Sequence, residues 1–306
     1  MGFLSSLGRP GPSGFGSATT AEQATFGLDL VGRTYLVTGS GSGLGKETAR
    51  VLALRGARVF ALARNNSKAR QISGEIPGEV VPIGCDLADI KSIQAAIRDI
   101  VATEVDFDAF IGNAGVMALP SCVQRNGFEL QFFTNHVGHA ALINGLIHRL
   151  KSNGRVVVLS SAAHEMTYKE GIQFDNLSGS NGYSPWKAYG QSKLCNLLFA
   201  RYLATRLPIS GQTSNAVHPG VIVTPLMRNL NPAMMLSGKL VSPFFMKTVE
   251  QGAATQVYVA THPSLAEVNG MYFADCNLKK SSEYGRDMRL AAELWRKTEE
   301  IIKAIV

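Results

Sequence analysis

Tyr189 and Lys193 stand four residues apart in the stretch YGQSK (189–193), a spacing that puts a phenol and an ammonium on one face of a helix. Free phenols titrate near about pH 10, but a neighbouring ammonium favours the phenolate, so such a pair can exchange a proton with a substrate oxygen nearer neutrality. Upstream, Ser160 and Ser161 follow the apolar run RVVVL (155–159), where a hydroxyl is placed to hydrogen-bond that same oxygen. Asn135, inside an earlier helical stretch, is suited to hold a water in a proton relay. These residue types describe acid–base chemistry.

The stretch TGSGSGLGKE (38–47) carries a second chemistry, the binding of phosphate. The ATP-type pattern G-x-x-x-x-G-K-[ST] fails, because Ser40 stands where its first glycine belongs and Glu47 where its hydroxyl belongs. The common dinucleotide spacing G-x-G-x-x-G fails too: counting from Gly39 reaches Leu44, and counting from Gly41 reaches Lys46. What remains is Thr38-Gly39-x-x-x-Gly43-x-Gly45, set between a short apolar strand and a helix. Its glycines let the backbone approach a diphosphate, while the free amides of the helix N-terminus face the negative charge.

These groups need a scaffold, and the sequence supplies an alternating one. Apolar runs at 34–38, 58–63, 80–85, 108–111, 155–159, 214–217 and 270–274 read as strands. Helical periodicity starts at Gly45 and recurs over 90–101, 127–150, 187–206, 249–261 and 287–304. The alternation predicts an α/β fold, a doubly wound Rossmann-type parallel sheet of about seven strands with helices on both faces. Ligands in such sheets bind beyond the C-terminal ends of the strands, where each motif above falls.

At 306 residues, 45% hydrophobic and 17% charged, the chain suits a single domain over 30–306. Residues 1–29, rich in Gly, Ser and Pro over most of their length, are expected as a flexible leader and not a signal peptide. Within them, Met1-Gly2 followed by Ser6 fits the myristoylation pattern. The net charge of +7 is dispersed without a basic run, which favours phosphorylated small molecules over nucleic acid as partners. No apolar run approaches the roughly 18 residues of a transmembrane segment. Cys85, Cys122, Cys195 and Cys276 are too scattered for a zinc site, so reduced thiols and a cytoplasmic location are expected. His136 and His139 lack a third ligand at suitable spacing and are expected to be structural, with no metal. The segment 225–247, rich in Met, Leu and Phe and broken by prolines, reads as a lid over an apolar substrate.

The motif order resembles that of the short-chain dehydrogenase/reductase family. It runs from T-G-x-x-x-G-x-G through Asp86-Leu87, Asn113-Ala114-Gly115, Asn135, Ser161 and Tyr189-x-x-x-Lys193 to His218-Pro219-Gly220, over roughly residues 30–280. Stretches such as TNHVGH, SSAAH and YGQSKLCN are similar to its retinol-dehydrogenase-like and WW-domain-oxidoreductase-like members. The resemblance implies Tyr189 as general acid/base, Lys193 as the group that lowers its pKa and binds the nicotinamide ribose, Ser161 as the partner of the reacting oxygen, and Asn135 in the relay. It also implies that Gly39, Ser40, Ser42, Gly43, Leu44 and Gly45 line the pyrophosphate and ribose, and that Asp86 and Leu87 meet the adenine. Asn113, Ala114 and Gly115 would meet the cofactor ribose, and Pro219, Gly220, Ile222 and Thr224 the nicotinamide end. The interval from Ser161 to Tyr189 is longer than in the simplest members, so the choice between Ser160 and Ser161 rests on strand register; Ser161 is expected. Members often form a homodimer through the helices that hold Asn135 and Tyr189.

The end of the second strand bears on the cofactor. An acidic residue there would accept from the ribose hydroxyls and repel a 2′-phosphate. Here Ala63 is followed by Arg64 and Asn65, which predicts NADP(H), with Arg64 pairing the 2′-phosphate and Lys46 assisting. The reading is an oxidoreductase that interconverts an apolar carbonyl compound and its alcohol. The alternative is a catalytically silent nucleotide-binding subunit, against which the complete Asn, Ser, Tyr and Lys set argues.

Overall fold

The computed structural model describes residues 10–207, 209, 211–222 and 246–306. Its strands are Thr34–Thr38 (β1), Arg58–Ala63 (β2), Val80–Gly84 (β3), Phe107–Gly112 (β4), Leu150–Leu159 (β5), Thr213–His218 (β6), Tyr272–Ala274 (β7) and Asn277–Leu278 (β8). Among the described residues these form one sheet in the order β8-β7-β6-β5-β4-β1-β2-β3, parallel throughout except for β7 with β8. β8 is the strand beyond the expected seven, a short return through Asp275 and Cys276, whose φ of 53° and 60° suit a two-residue hairpin turn.

Among the described residues the longer helices, with one short N-terminal turn, are Ala21–Ala24 (α1), Gly43–Leu54 (α2), Asn66–Glu75 (α3), Ile90–Val101 (α4), Gly138–Leu146 (α5, which continues the turns Leu130–Phe132 and Phe133–Val137), Pro185–Ala204 (α6), Val249–Thr261 (α7) and Met288–Ile305 (α8). Because successive strand residues face opposite sides, the sheet feeds two cores. Tyr35, Val37, Ile111 and Val157 pack with Leu52 of α2 and Val257 of α7. Leu36, Phe110 and Val158 pack with Ile93 of α4, Leu142 of α5 and Phe199 of α6. β1 lies between β2 and β4, and pairing of Val37 with Ile111 sets Gly39 and Asn113 side by side at the point where strand order reverses. That crevice is the ligand position of this architecture.

Several local expectations change. The helix expected over 127–150 starts at Leu130, because Asn126 and Gly127, with φ of 52° and 80°, turn a hairpin between Gln124–Arg125 and Phe128–Glu129. Asn-Gly is a strong hairpin signal that the apolar periodicity masked. The same stretch ends early, since β5 begins at Leu150 and jumps register between Phe107↔Leu150 and Ala109↔Arg155. The apolar pattern does not announce α3, because only Ala69 and Ile72 of NSKARQISGE are buried.

The segment expected as a flexible leader is, from residue 10 onward, laid on the domain. Thr20 closes a capping box on α1, Ala21 and Ala24 are buried, and Phe15 meets Tyr258 edge-on at 5.3 Å. Asn277 ties this strap to β8 by accepting from Ser13 N–H at 3.0 Å and donating to Phe15 O at 3.0 Å. Of the expected lid, only Met246 and Lys247 fall within the described residues.

At the other end of the chain, α8 lies across the helices that carry Asn135 and Tyr189. Thr298 donates its hydroxyl to Leu294 O at 2.7 Å and so accepts from His136 Nε2 at 2.8 Å, while Trp295 stacks on Phe199 at 5.5 Å. The face expected to pair two copies is therefore covered by the chain itself.

Candidate active site

Two strand ends build the first half of the site. Asn113 and Ala114 N–H both donate to Thr38 Oγ1 at 2.9 Å, and Asn113 Nδ2 donates to Thr38 O at 2.8 Å. Space between them is closed to side chains: a Cβ on Gly39 (φ 71°) would stand 2.8 Å from Ala114 Cα, and one on Gly45 would stand 2.3 Å from Gly39 O. Both positions require glycine. Ser42 caps α2 without a side-chain hydrogen bond, and no acidic residue occupies the first turn, so the helix amides remain free for an anion. They open into a cavity of about 540 Å³. A diphosphate fits this cradle by size, backbone approach and charge.

Most of the expected nucleotide residues line that cavity. Gly39, Ser42, Gly43, Leu44 and Gly45 lie at the helix end, with Arg64, Asn65, Asp86 and Leu87 alongside. Asn113, Ala114, Gly115, Tyr189, Lys193 and Pro219 also line it. Ser40 does not: it is buried and donates its hydroxyl to Val37 O at 2.9 Å. Gly220 and Ile222 are likewise not among the lining residues, and Ile222 instead bridges to Lys247. Thr224 lies outside the described residues.

One cation is exchanged for another. Lys46 pairs with Glu75 of α3 at 2.5 Å and does not line the cavity, whereas Lys68, in the first turn of α3, does. Missing α3 in the sequence meant missing Lys68. Gly41, Val116 and Thr134 are further lining residues not anticipated, and the Thr134 hydroxyl is buried without a hydrogen-bond partner.

The second half of the site is set by the exit of β5. Ser160 lines the cavity and donates to Lys193 O at 2.7 Å, while the expected Ser161, one residue on, is not among the lining residues: its Oγ accepts from Ala163 N–H at 3.1 Å, and it acts on the Tyr189 phenol by favouring the ionised form. Lys193 Nζ donates to Leu159 O at 3.1 Å and lies 5.7 Å from the Tyr189 ring centroid. Burial pulls the Lys193 ammonium down to about 8. Burial pushes the Tyr189 phenol up to about 12, with the Ser161 hydrogen bond acting in the opposite direction. The expected shift of Tyr189 toward neutrality is thus reversed in the protein alone, because removing the phenolate from water outweighs what its neighbours return.

Asn135 sits in a widened π-turn, Phe133–Val137, with its side chain fully engaged. Oδ1 accepts from Val116 N–H at 2.8 Å, and Nδ2 donates to Val116 O and to Ser192 Oγ, each at 2.9 Å. His139 Nδ1 donates to Asn135 O at 2.8 Å, and its Nε2 accepts the Thr38 hydroxyl at 2.8 Å. That pattern fixes the tautomer, and burial holds the ring neutral by lowering its pKa to about 4. The two nitrogens of His139 are spent on scaffold bonds.

A Rossmann sheet with a glycine cradle at its switch point, and a serine, tyrosine and lysine at the far end of the same cavity, defines a nucleotide-dependent oxidoreductase. The chain belongs to the short-chain dehydrogenase family, whose model matches residues 33–235. It is similar to short-chain dehydrogenase TIC 32 A, chloroplastic, from Brassica napus, at 44% identity over 97% of this chain and 97% of that one. It is also similar to retinol dehydrogenase 12 from Mus musculus, at 40% identity over 91% of this chain and 89% of that protein, which supports the retinol-dehydrogenase-like subgroup. Among solved structures, an uncharacterised protein from Mycobacterium paratuberculosis superposes with a TM-score of 0.74 at 32% identity, covering 92% of this chain and 97% of that one. The expected cytoplasmic location is overturned by the chloroplastic relatives. Composition and the lack of a long apolar run report on solvation, and they carry no information about compartment.

Proposed function

We propose that the protein is an NADP(H)-dependent oxidoreductase that interconverts an apolar carbonyl compound and its alcohol. One observation carries this reading: Ser160, Tyr189 and the Lys193 ammonium stand at one end of the cavity whose other end holds the α2 amides, Arg64 and Lys68, and Ser161 lies beside the phenol and works to lower its pKa. The nicotinamide, when bound, supplies or accepts the hydride. Ser161 and Tyr189 hold the substrate oxygen by hydrogen bonds, and Tyr189 delivers its proton as that oxygen gains charge in reduction. Lys193 binds the nicotinamide ribose and sustains the phenolate after transfer. The amides of Ser42 to Gly45 bind the pyrophosphate, and Arg64 with Lys68 binds the 2′-phosphate in the absence of an acidic residue at the end of β2.

Met117, Ala118, Ala163 and the half-buried Trp186 cluster against Tyr189, which supports an apolar substrate. Any pairing of two copies would use a face other than the one that α8 covers. Residence in a plastid accompanies this reading, on the strength of the TIC 32 relatives; imaging a fluorescent fusion of the full chain checks it.

Purified protein screened with NADPH against a panel of apolar aldehydes and ketones is expected to show turnover. Tyr189→Phe should keep NADPH affinity and lose turnover by at least about a hundredfold. Undiminished turnover in Tyr189→Phe would remove the phenol from its role.

A further inference from the structure

Gln131 is one helical turn before Asn135 and is completely buried, yet it does not line the nucleotide cavity. Its Oε1 accepts from Ala118 N–H at 2.7 Å. Its Nε2 donates to Tyr183 Oη at 3.0 Å and to Pro185 O at 3.3 Å. Tyr183 closes the circuit by donating its own hydroxyl to Leu119 O at 2.7 Å. One amide therefore joins the loop after β4 to the loop that enters α6.

What these loops carry gives the circuit its importance. Asn135 holds Val116 and Gln131 holds Ala118, so the helix grips alternate residues, and Met117 packs in the apolar cluster with Tyr189. Ala118 is held at φ +46°, a left-handed conformation that a residue with a Cβ rarely adopts unless its neighbours enforce it. On the other side, Trp186 follows the anchored Pro185 and presents its ring edge to Tyr189, with centroids 6.3 Å apart at 81°. The two loops thus bring a thioether, a methyl and an indole against the same phenol.

We propose that Gln131 is a positioning residue for the substrate: through Ala118 on one side and Tyr183 and Pro185 on the other, it sets the spacing of the two apolar walls that flank the Tyr189 ring. The inference rests on the reading of Tyr189 as the acid/base. It assigns Gln131 to carbonyl substrate recognition and not to nucleotide binding. Gln131→Leu keeps the volume of the side chain and removes all three of its hydrogen bonds.

The chain has two tryptophans, so a Trp295→Phe background makes Trp186 the sole indole reporter. In that background Gln131→Leu is expected to red-shift Trp186 emission and increase its quenching by acrylamide. It should also raise KM for para-nitrobenzaldehyde about tenfold, leaving NADPH affinity within about twofold. Tyr183→Phe, which removes one arm, should change both readouts in the same direction and by less, and the double variant should add little to Gln131→Leu. Unchanged Trp186 emission and KM in both single variants would overturn the proposal, as would a parallel loss of NADPH affinity and KM. Tyr189→Phe separates the two levels: normal turnover there sinks the catalytic reading, while Trp186 emission still reports whether Gln131 sets the walls.

Discussion

Asn135 grips Val116 at both ends of its backbone, accepting from the N–H at 2.8 Å and donating to the carbonyl at 2.9 Å. The same side chain donates to Ser192, the residue before Lys193, so one buried amide couples the loop after β4 to the catalytic helix. Asn135→Ala removes the three hydrogen bonds of a fully buried side chain, and a loss of about 3 kcal/mol in unfolding free energy is expected in urea titration. In folded protein, kcat/KM should fall at least about a hundredfold, measured at a temperature below the lowered Tm.

Charge at the end of β2 should govern cofactor choice. Arg64 and Lys68 both line the cavity there, while Lys46 is engaged with Glu75. Arg64→Ala and Lys68→Ala are each expected to weaken NADPH binding about 10- to 100-fold and leave NADH binding unaltered. Lys46→Ala should do neither. Calorimetric titration with both nucleotides distinguishes the three.

The proton at the catalytic end gives a signed pH dependence. Lys193, lowered to about 8 by burial, loses its charge as pH rises through that value, so NADPH affinity should decline there, and Lys193→Met should abolish the dependence. Carbonyl reduction needs the Tyr189 phenol protonated, and burial keeps it so up to about 12. Reduction should therefore be flat across neutral pH, whereas alcohol oxidation, which needs the phenolate, should gain rate with rising pH. Initial rates in both directions test this.

Stability has its own pH dependence at the opposite end of the sheet. Asp108 accepts from Arg33 at 2.8 Å, Lys151 at 2.7 Å and Thr34 N–H at 2.8 Å. Burial works to raise its pKa, but these partners together hold it below the ordinary value. The stabilisation is therefore present above about pH 3.9, the unfolded value, and is lost as pH falls through the lower folded one. Asp108→Asn should lower unfolding free energy by about 2 kcal/mol at neutral pH without changing kcat, as chemical denaturation and kinetics would show.

The strand turn at Asn126-Gly127 offers a check on the corrected helix start. Gly127 has φ of 80° with open space around it, so Gly127→Ala meets no clash but must adopt a strained backbone. A loss of about 1 kcal/mol is expected in thermal unfolding. Were 127 helical, the same change would stabilise.

The doubly wound alternation was legible because strands buried on both faces read as unbroken apolar runs, and RVVVL and TYLVT need no partner to be recognised. α3 was not legible, since its burial is confined to Ala69 and Ile72 and the rest of it faces water. The hairpin at 124–129 was written in Asn-Gly, but a long apolar pattern beside it read more strongly as helix.

By itself the sequence determined which chemical groups the protein owns and the order in which they leave the sheet: glycines after β1, Asn113 after β4, the serines after β5, and a phenol with its ammonium on α6. Only the tertiary structure decided that Lys68 and not Lys46 lines the cavity, that Ser160 lines it beside Tyr189, and that Gln131 binds two distant loops together. It also decided that the phenol keeps its proton. Periodicity and spacing are properties of one segment, set by local backbone geometry. Side-chain partners and pKa values depend on distances between segments and on how much water is excluded, and both are fixed only when the sheet, its loops and its helices close on one another.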